Sequence, residues 1–501
     1  MKNRVLPVAC LLFLSGMCAL VFQTAWIREF RLFFGASTAA SAAVLAIFMG
    51  GLGLGNALLG SRIDRYRNPL ACYALLELSI AGAAALSPLL VELIRWVYLA
   101  LGGQLSLGLA GATLVRLTLA AAVLGLPTFL MGGTLPAAVR AVTTAEDRAR
   151  RGAALIYGAN TLGAVCGASL STFFALEVCG TRMTLWLACL VNVLTATAAW
   201  VLSRKEAAPQ AAPDAARPPR VPTPVKAAKN VKVAQLAAVP AAALYAVAGV
   251  VGFAFFLMEL VWYRMLGPLL GGSTFTFGLI LAVALLGIAL GGMAYAALFR
   301  WLRPTLGSLA ATAAWEALLV AAAFALGDRL AIWTAGWHQA NTHGFPGEVL
   351  GWAAVASLTI LPAAFVSGLQ FPLLIALLGP GDREIGKHTG LAVAWNTVGA
   401  ILGSIAGGFG LLPLLSAPGA WRAVVFLLAL LSVAVGLLSL GIERRRRALL
   451  LPLSAIAAAG LLLVVTGPTA VWRHSGIGAG RARVPTQSAN AVHQWENMER
   501  R

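Results

Sequence analysis

The sequence predicts an all-α polytopic membrane protein built from two parallel six-helix repeats. Hydrophobic residues make up 60% of its 501 residues and charged residues only 11%, whereas ordinary soluble domains carry about 25% charged residues. Apolar stretches of about 20 residues, each long enough to cross the ~30 Å hydrocarbon core of a bilayer, follow one another along the chain. The second half of the chain also repeats motifs of the first half.

Twelve apolar stretches are predicted to cross the membrane, and a candidate thirteenth follows them. In chain order the predicted spans are 7–25, 37–60, 69–91, 108–131, 153–176, 182–203, 240–264, 273–299, 306–326, 350–378, 389–414, 421–441 and 448–467. The thirteenth is long enough to cross but could also lie along the membrane interface. The side of the membrane on which the tail lies therefore stays open.

The basic residues mark the predicted topology. The net charge is +19, but most basic residues flank predicted spans, as in the clusters at 62–67, 148–151 and 444–447. Placing the N-terminus in the cytoplasm puts these clusters on the cytoplasmic side, which is the usual bias of multi-pass proteins. We therefore expect a multi-pass protein of the inner (plasma) membrane that contacts a lipid bilayer and no nucleic acid.

An internal duplication is visible at one fixed offset of 236 residues (252 − 16). The matched pairs include Gly16 and Gly252, Trp26 and Trp262, Arg28 and Arg264, Gly132 and Gly368, Pro136 and Pro372, and Asn160 and Asn396. Shared Ala or Leu would follow from composition alone. Trp, Arg, Pro and Asn in three separated blocks at one offset indicate a repeat.

The repeat predicts the domain organisation. Six spans in each half give the halves the same orientation, an arrangement found in major facilitator transporters, whose substrate path runs between the halves near the membrane midplane. The predicted parts are the first repeat (1–203), a cytoplasmic linker rich in Ala, Pro and Lys (204–238), the second repeat (239–441), a basic loop with the candidate thirteenth span (442–467) and a tail (468–501).

A candidate gating loop follows the second span. Gly60-Ser-Arg-Ile-Asp64-Arg65 resembles the Gly-x-x-x-Asp-Arg loop of major facilitator proteins. The resemblance implies a gating role for Asp64 and Arg65. The second half keeps Arg300 and Arg303 at this place without an Asp, so we expect a one-sided latch.

A wider set of motifs resembles the membrane-fused spermidine synthases. These motifs are Leu14-Ser-Gly16, Phe22-Gln23, Trp26, Phe34-Gly35-Ala-Ser37, Gly50-Gly-Leu-Gly-Leu-Gly55, Met131-Gly-Gly-Thr-Leu-Pro136 and Asn160-Thr-Leu-Gly-Ala164. The resemblance implies a transporter-like membrane domain followed by a soluble aminopropyltransferase-like domain that uses decarboxylated S-adenosylmethionine. The tail 468–501 is too short for such a domain. We therefore expect no catalytic residues and no cofactor in this chain.

Three functional hypotheses follow from the sequence. The chain could be a transporter for a small organic cation such as a polyamine. It could instead be a non-transporting anchor or scaffold for a separately encoded aminopropyltransferase, or an inactive truncated member of the family. A water-accessible cavity that reaches buried carboxylates would favour transport, whereas carboxylates sealed in ion pairs would favour the scaffold.

Ionisable residues within the spans mark a candidate transport pathway, because a charge in hydrocarbon costs at least ~2.5 kcal/mol. Glu77 and Glu316 occupy comparable places in the third and ninth spans, Arg116 lies in the fourth, and Glu259 in the seventh aligns with Gln23 in the first. Acidic groups in a cavity suit a polyamine or a proton-coupled carrier. Glu77 could instead pair with Arg116 and only hold helices together.

Asn160 and Asn396 join this candidate pathway. Each could cap a broken helix, bond across helices or touch a substrate, and the sequence leaves these alternatives open.

The remaining polar features have simpler interpretations. The repeated Trp-x-Arg motif, with Trp26, Arg28, Trp262 and Arg264, is expected to anchor helices at the membrane interface. His338 and His343 lie in a predicted outward loop, 327–348, that indicates a folded cap rather than a metal site.

Overall fold

The structure is a computed structural model that describes residues 2–34, 38–143, 147, 150–207, 239–271, 274–379, 384–443 and 450–464. Within these residues the chain forms helices. They are α1 (Lys2–Phe34), α2 (Thr38–Ile63), α3 (Pro69–Ala100), α4 (Gly103–Gly132), α5 (Thr134–Val142), α6 (Arg151–Leu170), α7 (Leu176–Val178), α8 (Gly180–Ala207), α9 (Ala241–Leu266), α10 (Thr274–Leu298), α11 (Leu306–Leu326), α12 (Asp328–Ala340), α13 (Gly344–Leu377), α14 (Ile385–Ile405), α15 (Leu412–Glu443) and α16 (Leu450–Val464). The predicted linker and tail lie almost wholly outside the described residues.

Eleven helical segments among the described residues are long and apolar enough to cross a membrane. They account for all twelve predicted spans of the two repeats, because the predicted spans 389–414 and 421–441 fall within one continuous helical segment, Ile385–Glu443. The backbone breaks inside it at Ser416, which has a φ of 60°. Such a conformation is strained for a residue other than glycine, so it marks the turn between two spans.

The same helix pairings occur in both halves. In the first half α1 packs against α6, α2 against α4, and α3 against α8. In the second half the corresponding helices pair as α9 with α14, α10 with α13, and α11 with α15. Two π-helical turns, Ser171–Ala175 and Ala406–Leu411, also begin at almost the same offset as the repeated motifs.

The two halves meet along two seams, one between α2 and α14 and the other between α6 and α10. At one end of the first seam the backbones approach closely through Gly60, Gly386 and Gly390. A Cβ atom on Gly60 would lie 2.6 Å from the Gly386 carbonyl oxygen. Small residues at this contact allow two membrane helices to pack backbone to backbone.

The candidate thirteenth span forms helix α16, which packs along α11 with Pro452, Ala455 and Ala459 buried. Its 15 described residues extend about 22 Å at 1.5 Å per residue, less than the ~30 Å of a full crossing. The rest of the predicted span lies outside the described residues, so a complete crossing stays a prediction.

The structure corrects the expected role of the repeated tryptophans. Trp26 and Trp262 are each only 1% exposed, and Trp26 Nε1 donates a hydrogen bond to Ser87 Oγ at 2.8 Å. Both indole rings belong to buried hydrophobic clusters, so they pack inside the protein and do not anchor it to the membrane surface. Arg28 and Arg264, by contrast, are exposed.

Candidate functional site

A central cavity of about 340 Å³ lies between the two halves. Residues of α1, α2, α6, α9, α10, α13 and α14 form most of its lining, and α3, α4, α5 and α8 add one or two residues each. The polar side chains among them are Ser15, Gln23, Asn56, Thr134, Tyr157, Asn160, Asn192, Glu259, Ser367, Asn396 and Thr397. A cavity of this size suits a small organic molecule.

Glu259 is the only charged side chain among the described residues that line the central cavity. It is half-buried, and within the described part of the chain its carboxyl group makes no hydrogen bond or ion pair. Gln23, its partner under the internal repeat, also lines the cavity. The cavity therefore has one carboxyl group on the second half and one amide at the matching place on the first.

Asn160 and Asn396 both line the central cavity, as the candidate pathway required. They lie inside α6 and α14 rather than at a helix end, so neither caps a broken helix. Asn396 Nδ2 donates a hydrogen bond across helices to the Ala248 carbonyl oxygen at 3.1 Å. Gly252 in α9 packs directly on the Asn396 backbone, and Gly16 packs in the same way on Asn160.

Glu77 lies behind the wall of the central cavity and is fully buried. The Ser15 hydroxyl, which does line the cavity, donates a hydrogen bond to Glu77 Oε1 at 2.5 Å. Glu77 Oε2 has no hydrogen-bond partner in the described structure. Glu77 is thus separated from the cavity by one side chain.

The alternative pairing of Glu77 with Arg116 is not present. The Arg116 guanidinium lies 5.1 Å from the centre of the Tyr98 ring. Tyr98 is 21 residues (98 − 77) beyond Glu77 on α3, or roughly 30 Å along the helix. Arg116 is also absent from the lining of the central cavity.

Glu316 is also sealed from the cavity, at 3% exposure, and accepts a hydrogen bond from Gln370 Nε2 at 2.7 Å. It does not match Glu77 in three dimensions. Asn68 caps α3 and Thr305 caps α11, so Glu77 lies nine residues after its cap (77 − 68) and Glu316 eleven (316 − 305). Two residues turn a helix by roughly 200°, which explains why Glu77 faces α1 whereas Glu316 faces α13.

Asp64 joins the two halves at one end of the α2–α14 seam. Its carboxylate accepts hydrogen bonds from the backbone amides of Gly386 and Lys387, both at 2.9 Å. Arg140 Nε lies 3.7 Å from the same carboxylate. The two amides belong to the first turn of α14, where free N–H groups and the helix dipole favour a negative charge. Arg65, by contrast, is exposed.

The other seam is joined at the same end by arginines. Arg151 Nε donates to the Ala296 carbonyl oxygen at 2.8 Å, near the C-terminus of α10. Arg150, only 1% exposed, donates to the Gly379 carbonyl oxygen at 2.9 Å. Cations suit carbonyl groups at a helix C-terminus for the same dipole reason. We call the end of the bundle that carries Asp64 and these arginines the basic end.

The acidic contact is found only at the α2–α14 seam among the described residues. The α6–α10 seam is joined instead by arginine. Arg300 occupies the place of Asp64 under the internal repeat (300 − 64 = 236). Sequence reasoning missed the roles of Arg140, Arg150 and Arg151, whose charges served only to assign topology. The contacts of Asp64, Arg150 and Arg151 hold the two halves against each other at the basic end.

The residues of the predicted outward loop form a small polar cluster. His338 Nδ1 lies 2.8 Å from Glu348 Oε1, and Asn341 Nδ2 donates to the same oxygen at 3.0 Å. Among the described residues no group of three or more His, Cys, Asp or Glu side chains could hold a metal ion.

Comparisons with known proteins identify the fold. No protein-family model matches the chain, and no curated protein matches it. Its structure is similar to that of the human organic anion transporter MFSD10 (TETRAN), with a TM-score of 0.52 and 16% identity over 87% of this chain and 99% of that chain. It is also similar to a bacterial homologue of the iron transporter ferroportin in an outward-facing state, with a TM-score of 0.53 and 12% identity over 88% of this chain and 100% of that chain.

At such identities the similarity concerns the fold alone. The chain is an all-α, polytopic membrane protein with a major-facilitator-like fold, and this predicted fold class is confirmed. The membrane in which it resides and the side on which the N-terminus lies stay predictions.

Proposed function

We propose that this protein is a transporter that moves a small organic cation, such as a polyamine, across the membrane. The observation that supports the proposal is Glu259, whose carboxyl group has no partner among the described residues and faces a cavity between two helical repeats that several other polar side chains also line. The proposal also includes membership of the membrane-fused spermidine synthase type, which rests on the sequence motifs described above.

The chemistry of the central cavity suits a cation. A cation that leaves water needs fixed negative charge to replace its hydration, and a carboxylate at 4 Å attracts a unit positive charge by about 4 kcal/mol at an effective dielectric constant of 20. Gln23, Asn160 and Asn396 add amide oxygens that can accept hydrogen bonds from ammonium N–H groups. No lining side chain among the described residues carries a positive charge.

The closure at the basic end suits alternating access. A carrier exposes one central site to each side in turn by rocking its repeats against each other. Contacts that are strong yet few, such as those of Asp64 with Gly386 and Lys387, can form and break as the halves move. In the proposed cycle, the described structure is the state closed at the basic end.

The scaffold hypothesis receives less support from these observations. It required the intramembrane carboxyl groups to be sealed in ion pairs. Glu77 and Glu316 are sealed, but by hydrogen bonds to a serine and a glutamine, and Glu259 faces the cavity. A separately encoded aminopropyltransferase remains a candidate partner under either hypothesis.

Uptake into proteoliposomes tests the proposal. Purified protein is reconstituted, and entry of labelled putrescine and spermidine is compared with protein-free liposomes. Glu259→Gln should reduce uptake at least tenfold, and Glu259→Asp should restore part of it. Glu92→Gln serves as the matched control because Glu92 is exposed and pairs with Arg182 away from the cavity. If liposomes with the parent protein take up the labelled cations no faster than protein-free liposomes do, transport of these cations is rejected and the scaffold hypothesis is favoured.

A further inference from the structure

A second cavity, of about 280 Å³, adjoins the central one between α2, α9 and α14. We call it the side groove. Its walls include Leu45 and Met49 of α2, Phe256 and Leu260 of α9, and Ser404 of α14. Ser404 carries the only polar side chain among the described lining residues, so the side groove is apolar, whereas the central cavity beside it carries Glu259 and ten other polar side chains.

Three side chains separate the two cavities. Leu45, Met49 and Phe256 line both, so they form a partition that is one side chain thick. Leu and Met side chains change rotamer readily, and Met in particular adapts to irregular spaces. On α9 the neighbouring residues Glu259 and Leu260 face the central cavity and the side groove, respectively. A molecule that spans the partition would have its two parts in contrasting surroundings.

The side groove also opens at the outer surface of the helix bundle. Ile405 and Phe409, which line it, are 48% and 69% exposed. Phe409 lies in the π-helical turn Ala406–Leu411 and Ile405 directly precedes it, and such turns occur frequently at functional sites. In a protein that spans a bilayer this surface faces lipid, so the side groove lies between the partition and the acyl-chain region.

The matching position on the other seam is closed. There Thr172 packs on Gly278, and the rings of Phe173 and Phe275 stack with centroids 5.5 Å apart. Under the internal repeat, Gly408 takes the place of Thr172 (408 − 172 = 236). A Cβ atom on Gly408 would meet nothing within 4 Å. The opening is therefore a specific feature of the α2–α14 seam rather than a general consequence of the fold.

We propose that the side groove binds the alkyl chain of an amphiphilic organic cation whose charged head lies at Glu259. This inference rests on the proposed cation site and deepens it, since it adds an alkyl chain to the substrate class. Burying an alkyl chain in an apolar groove stabilises the complex, whereas a polyamine without such a chain would leave the groove unused.

The test uses two permanently charged probes, tetramethylammonium and octyltrimethylammonium, with the protein in lipid nanodiscs. Equilibrium binding of each labelled probe is measured for the parent, for Ser404→Phe, which fills the side groove, and for Leu430→Phe. Leu430 lies on α15, is 55% exposed and lines neither cavity, so it is the matched control. Partitioning of each probe into lipid is the same for all three proteins and cancels from their comparison.

Each methylene that enters the groove should raise affinity up to about fourfold. We expect Ser404→Phe to weaken binding of octyltrimethylammonium at least tenfold while leaving tetramethylammonium binding within twofold, and Leu430→Phe to match the parent for both. Unchanged binding of the octyl probe in Ser404→Phe would overturn the inference, because the alkyl chain would then bind outside the groove.

A further variant separates this inference from the proposed function. Glu259→Gln should weaken the binding of both probes. If tetramethylammonium binding depends on Glu259 but Ser404→Phe affects neither probe, only the side-groove inference fails. If neither probe binds the parent protein, the cation site fails together with the inference that rests on it.

Discussion

Replacing Asp64 by Asn should loosen the contact between the halves at the basic end. The substitution keeps the size of the side chain but removes its charge, and it leaves one acceptor oxygen for the two amides of Gly386 and Lys387. An anion at a partly buried helix N-terminus contributes up to about 2 kcal/mol. The Asp64 side chain is only 9% exposed, so water screens this interaction weakly. We therefore expect the variant to destabilise the closed state by about 1–2 kcal/mol relative to the open state, which lowers the ratio of closed to open states by a factor of about 5–30.

Hydrogen exchange measures this effect at the residues concerned. Amides protected by a local closed state exchange at rates set by its opening free energy. The protection of peptides covering the start of α14 should fall by the same factor of about 5–30 in Asp64→Asn. Unchanged protection at Gly386 and Lys387 would refute the assignment of Asp64 as a latch between the halves.

Asp147→Asn is the control for this experiment. Asp147 caps α6 within its own half by accepting hydrogen bonds from the amides of Arg151 and Gly152, at 3.0 and 2.8 Å. This variant should increase exchange at the start of α6 and leave the start of α14 protected. The comparison separates a contact between the halves from an ordinary helix cap.

Three further predictions concern the core and the seam. Ser15→Ala removes the hydroxyl that donates to the buried Glu77 carboxyl and should lower the free energy of unfolding by about 1–3 kcal/mol; an unchanged thermal midpoint would contradict that contact. Trp26→Ala should lower the free energy of unfolding by about 3–5 kcal/mol because the ring is buried. If Trp26 were only a surface anchor, the same substitution would lower it by less than ~0.5 kcal/mol. Gly60→Ala should hold the basic end open, because its Cβ would collide with the Gly386 carbonyl. A cysteine introduced in the lining of the central cavity should then react faster with a reagent added from that side. Equal labelling rates with and without Gly60→Ala would argue against the close approach of the two backbones.

The sequence was a good guide to the fold because membrane spans carry a strong signal. Backbone groups in hydrocarbon must bond within their own segment, so long apolar stretches can only be helices. Less of the detail was predictable. The break at Ser416 falls between the predicted spans 389–414 and 421–441, so its place was predictable although no charged loop marks it. Trp26 and Trp262, by contrast, looked like interface residues, and only the packing of neighbouring helices shows that they are buried.

The candidate site was partly predictable. Glu259 and Gln23 were linked by the internal repeat and both line the central cavity, as do Asn160 and Asn396. Glu77 and Glu316 do not, because the face that a membrane helix turns inward depends on packing that an almost uniformly apolar sequence does not encode.

The arginine contacts at the basic end were not predictable for a different reason. Arg151 and Arg150 bind backbone carbonyl groups of Ala296 and Gly379, and any residue type offers a carbonyl oxygen. No sequence motif marks such an acceptor, so only the packing of α6 against α10 and α13 identifies it.

The most direct test of the central claim is the equilibrium affinity of the purified protein for putrescine, measured with and without the Glu259 charge. If Glu259 binds the cation in the central cavity, Glu259→Gln should weaken putrescine binding at least tenfold, while Glu92→Gln should leave it unchanged. Equal affinity in the parent and in Glu259→Gln would contradict the account, because the cation would then bind without the one charged side chain found in the described lining of the cavity.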